Sequence, residues 1–141
     1  MLAERNIDGV VCAFLDSVGV PPPEEMPADW QENTTIEWIR RLARDPADIA
    51  VLDGQTKPTF ALRGFTETGI QGSVVLLDCA REIREARLAA RGQPELATND
   101  MHAWAAYLRG QADALGLLVI DTSALDVEQA TNAVVAHVIG R

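Results

Sequence analysis

Residues 73–92 read SVVLLDCAREIREARLAARG, and this stretch decides the fold. It opens with a short continuous run of Val and Leu, Ser73–Leu77, without polar alternation. Such a run fits a strand buried on both faces, as in parallel sheets. An acid, Asp78, ends the run. The pattern then changes period: Ile83, Ala86, Leu88 and Ala90 mark a helix over 80–91, and Gly92 stops it.

The same alternation runs outward in both directions. Residues 9–15 (GVVCAFL), 49–52 (IAVL) and 117–120 (LLVI) are further strand candidates. Helices are predicted over 31–44, with Ile36, Ile39, Leu42 and Ala43 on one face, and over 98–114, where Met101, Trp104, Ala105, Leu108 and Ala112 repeat at helical spacing. A last helix carries Val127, Ala130, Val134 and Val138. Thr98 and Ser123 are the expected N-caps, and Gly116 a stop. Strands separated by helices imply βαβ crossovers, so the expected fold is α/β, with a parallel sheet sandwiched by helices. The PPPEEMP stretch at 21–27 reads as a stiff loop. One domain is expected for 141 residues.

Composition narrows the function classes. The net charge is −9, from 21 acids and 12 bases. A protein that neutralises nucleic-acid phosphates normally shows a basic surface, so no nucleic-acid partner is expected. No apolar run approaches the roughly 18 to 20 residues of a membrane span, and no membrane partner is expected. Cys12 and Cys79, both inside apolar runs, suggest buried thiols in a reducing, cytoplasmic compartment; a disulfide between them is the weaker reading. His102 and His137 stand far apart with no Cys or Asp at metal spacing, which argues against zinc. Trp30, Trp38, Trp104 and Tyr107 read as core or pocket wall.

In an open parallel sheet, ligands bind beyond the carboxyl ends of the strands. Those ends carry Asp16, Asp53, Asp78 and Asp121. Carboxylates there can hold hydrated Mg²⁺, and they can equally cap the turn into the next helix. Asp53 opens DGQTK, where Gly54 permits a tight turn and Lys57 adds a cation, a pairing that suits a metal–phosphate complex or a solvated turn. Arg84, Arg87 and Arg91 line one side of a helix. Arginine forks bind phosphate oxygens bidentately, although Glu82 and Glu85 can pair with several of them on a solvated face.

Taken together, these residues resemble small P-loop kinases of the nucleoside-monophosphate-kinase, adenylate-kinase-like type. LDG-x-x-K at 52–57 is similar to that family's D-G-F-P-R motif, with Lys57 where the family has Arg and Gln55-Thr56 in place of Phe-Pro. Arg87-Leu-Ala-Ala-Arg91 resembles its R-x-x-x-R at the edge of the lid, here a lid-like segment of about 84–98. The ending LGLLVIDTSALDVEQATNAVVAHV resembles the family's last strand and helix. The resemblance implies ATP-dependent phosphoryl transfer to a small-molecule acceptor, with ATP and Mg²⁺ as cofactors. Asp53 would position magnesium, Arg87 and Arg91 would clamp phosphates as catalytic residues, Lys57 would contact phosphate, and Asp16 would orient the acceptor.

One family feature is not in these residues. The family opens with a strand, the Walker A loop G-x-x-x-x-G-K-[ST] and a helix; here Met1–Arg5 read like the last turn of that helix. The string from Gly64 to Gly69 continues Ile70-Gln71 and precedes a strand, so it is no phosphate loop. The P-loop NTPase-like sheet would then lack its first, central strand, and the strands ending in Asp53 and Asp78 would flank its place. Three arrangements are expected from this: a start upstream of Met1, direct pairing of those two strands, or a strand supplied by another chain. The 141 residues alone are expected to be nearly inactive. The alternative is a non-catalytic binding or self-associating remnant, a homo-oligomer.

Overall fold

The computed structural model describes residues 2–140. The chain is α/β and divides into two compact units, residues 1–73 and 74–141, each with its own two-stranded parallel sheet.

In the first unit, a 3₁₀ turn at Leu2–Arg5 leads to β1 (Val10–Phe14), a second 3₁₀ turn at Leu15–Val18, α1 (Trp30–Ala43), β2 (Ile49–Asp53) and α2 (Pro58–Thr68). β1 and β2 run parallel, with Val10 opposite Ile49 and Phe14 opposite Asp53. α2 was not expected from the apolar pattern. Its local signals are Pro58 at the first helical position, where a missing N–H costs nothing, and Gly69 at φ +72° closing its end. The Gly64–Gly69 string is therefore helix and helix cap. Gly64 lies where α2 meets α1, and an added Cβ would come 2.5 Å from the Ile39 side chain.

The core of this unit is Leu15, Ile36 and Ile39, with Thr35 fully enclosed. The Thr35 hydroxyl bonds the Gln31 carbonyl at 2.7 Å and the Thr56 hydroxyl at 2.7 Å, so burial leaves it satisfied. Leu15 is pinned from both sides. The indole of Trp38 donates to its carbonyl at 3.1 Å, and Gly54 packs so closely that a Cβ there would stand 2.4 Å from Leu15 Cβ. The glycine after Asp53 thus admits a side chain of the fold itself.

The second unit contains β3 (Val75–Asp78), α3 (Arg81–Ala90), a 3₁₀ turn at Pro94–Leu96, α4 (Asn99–Leu115), β4 (Leu118–Asp121) and α5 (Val127–Ile139). β3 pairs with β4 in parallel, Val75 opposite Leu118 and Asp78 opposite Asp121. Direct pairing of the strands that end in Asp53 and Asp78 is not among the ladders: β2 pairs with β1, and β3 with β4. Thr98 caps α4 as expected, accepting from the Met101 amide at 3.1 Å. Ser123 does not cap α5. Asp126 does, through a reciprocal capping box with Gln129, while the Ser123 hydroxyl accepts from the Ala80 amide at 2.8 Å. Leu88, Ala112 and Val138 form the apolar core, and His102, Thr122 and Thr131 are buried with them.

Both cysteines are free thiols and each is partly exposed, not fully buried as the apolar runs suggested. Among the described residues, no helix is long and apolar enough to cross a membrane. Replacing Gly54 with Ala should destabilise the first unit by about 1–3 kcal/mol, the usual cost of overpacking. Urea unfolding checks this, and an unchanged midpoint would mean that Leu15 yields freely.

Candidate functional site

The residues singled out in the sequence divide between the two units. Asp16, Asp53 and Lys57 belong to the first. Asp16 is exposed in the turn after β1, where its carbonyl accepts from the Gly19 amide at 3.0 Å. Asp53 ends β2 and is exposed. Its charge reaches the Cys12 thiol, whose pKa is raised first by burial and second by Asp53. Lys57 precedes α2. Its backbone amide donates to Gln31 Oε1 at 3.4 Å, and its ammonium lies over the Phe60 ring, 5.6 Å from the centroid.

Magnesium favours several oxygen ligands at once. Among the described residues, no group of three or more His, Cys, Asp or Glu side chains is arranged to hold a metal. Asp53 therefore offers a single ligand, short of a metal centre, and no reaction step is routed through it.

Arg87 and Arg91 belong to the second unit and part company there. Arg87 is a staple between α3 and the loop after β4. One terminal nitrogen donates to the Thr122 hydroxyl at 2.9 Å; the other donates to the Thr122 carbonyl and, at 3.1 Å, to the Leu125 carbonyl. Thr122 in turn donates its amide, at 2.8 Å, and its hydroxyl, at 3.2 Å, to the Asp78 carbonyl. Arg91 is exposed at the end of α3 and makes no side-chain hydrogen bond or ion pair among the described residues. The lid-like segment folds as the end of α3, Gly92 at φ +74° and a 3₁₀ turn leading into Thr98.

One open concavity of this unit does not stand out from the sequence as a whole. At the carboxyl end of β3, a cavity of about 340 Å³ is lined by Asp78, Cys79, Arg81, Arg84, His102, Ala105, Ala106 and Arg109. Three elements build it: the end of β3, the first turn of α3 and one face of α4. Asp78 stands at its centre of charge. Its Oδ1 lies 3.6 Å from Arg84 and its Oδ2 lies 3.3 Å from Arg109.

Arg84 is held from two more sides, donating to the Cys79 carbonyl at 3.0 Å and meeting His102 Nδ1 at 2.8 Å. Because a guanidinium can only donate, Nδ1 accepts, and the ring proton belongs on Nε2. That buried nitrogen is 3.2 Å from Glu85 Oε1 but makes no hydrogen bond of acceptable angle. Arg109 is also bound by Asp113 at 3.2 Å. Asp113 first, and Asp78 with it, hold its charge more firmly than usual. Arg81 pairs along its own helix with Glu85 at 3.1 Å. Beside the pair Asp78–Asp121, the Ser123 amide keeps the Asp121 carboxyl below the ordinary aspartate range, with Arg109 and Arg87 adding to the effect.

In the sequence Asp78 stands out as one of four strand-end acids, Arg84 as one of three arginines on a helix side and His102 as one of two distant histidines, while Arg109 does not stand out. A signal was present: His102, Ala105, Ala106 and Arg109 follow i, i+3, i+4 and i+7, one helical face framed by two chemistry-bearing residues.

Two measurements check these placements. Arg87→Ala should cost about 2–3 kcal/mol of stability, since it strips charge-assisted bonds from buried acceptors; an unchanged urea midpoint would remove the staple. In a Cys79→Ser background, Asp53→Asn should speed iodoacetamide labelling of Cys12 at pH 7.5, on the order of twofold to fivefold, by lowering the thiol pKa. An unchanged rate would show that burial alone acts on Cys12. No family model, curated protein or solved structure matches this chain, so the site is defined by its geometry.

Proposed function

We propose that the chain binds a phosphorylated small molecule, with the cavity at the end of β3 as the phosphate site. One observation carries the reading: three arginines, Arg81, Arg84 and Arg109, converge on a cavity whose lining holds a single carboxylate. Arginine forks match phosphate oxygens and keep their charge at any physiological pH. The position is also the expected one, since ligands of parallel α/β sheets sit beyond the carboxyl ends of strands. A cavity of about 340 Å³ falls at the small end of ligand sites, which run from about 300 to 1,000 Å³.

Electrostatic attraction does the binding, and the scaffold limits its cost. Arg84 is held by the Cys79 carbonyl and His102 before any ligand arrives, so little side-chain freedom remains to be lost. The overall acidity of the chain does not oppose this, because the arginines act at close range while distant charges are screened over about 8–10 Å. ATP-dependent phosphoryl transfer to a small acceptor is the wider proposal that the kinase resemblance supports.

The test is a thermal-melt titration of the full chain with inorganic phosphate, AMP and ATP–Mg²⁺. A ligand that binds only the native state adds about 2.7 kcal/mol at a hundredfold excess over Kd. At least one of the three should raise the melting temperature saturably, and Arg84→Met or Arg109→Met should abolish the rise. If none raises it in the folded wild type, the reading fails. Transfer of labelled γ-phosphate to an added acceptor tests the wider proposal.

A further inference from the structure

We draw no further inference here: the strongest candidate, the apolar face of the β3–β4 sheet that carries Val75, Leu77, Leu118 and Ile120, on which Leu77 and Leu118 are each 43% exposed, carries nothing because no feature of the structure shows what covers it.

Discussion

The hydrogen bonds that Thr122 makes at the end of β4 are the constraint on which the second unit depends. Its amide and hydroxyl both reach the Asp78 carbonyl, and its own carbonyl and hydroxyl accept from Arg87. Four polar groups that would otherwise be orphaned where two strands end are satisfied in one small network. A buried group left unpaired costs about 1–3 kcal/mol, so the network is worth more than its individual bonds suggest. It also fixes, in one step, where β3 stops, where α3 lies and where Asp78 stands.

The cavity inherits its geometry from this arrangement. Asp78 is the last residue of β3, Arg81 and Arg84 belong to the first turns of α3, and His102 and Arg109 share one face of α4. None of them rides on a free loop. Sites built on strands and helices hold their donors in place better than loop sites do, and here each guanidinium also has a protein partner that orients it. The same economy explains why Arg87, next in the arginine row, is unlike Arg84. Three residues further along α3 the side chain meets backbone carbonyls in place of the cavity.

Much of the fold was legible because periodicity records burial. The four strands, α1 and α3 to α5 follow from runs of Val, Leu and Ile and from helical spacing. α2 escaped because PTFALRGFTET carries two glycine-bounded signals, Gly64 and Gly69, that read equally as a loop. Ser123 and Asp126 illustrate a subtler limit: both are good caps by type, and only the partner at Gln129 distinguishes them. The site was legible in pieces. Asp78 and Arg84 stood out as a strand-end acid and a helical base, but Arg109 lies 31 residues beyond Asp78, and no local pattern announces a pairing at that range.

The parallel ladders carry a kinetic consequence. Val10 meets Ile49 and Val75 meets Leu118, so each sheet must close a chain segment of about forty residues before its first strand pair forms, an entropic cost met before any ladder bond repays it. Helices α1, α3 and α4 lie inside those segments and shorten the distance to be searched once they form. The helices are local and the ladders are not, and with four or five residues each the ladders are the least redundant element of each unit.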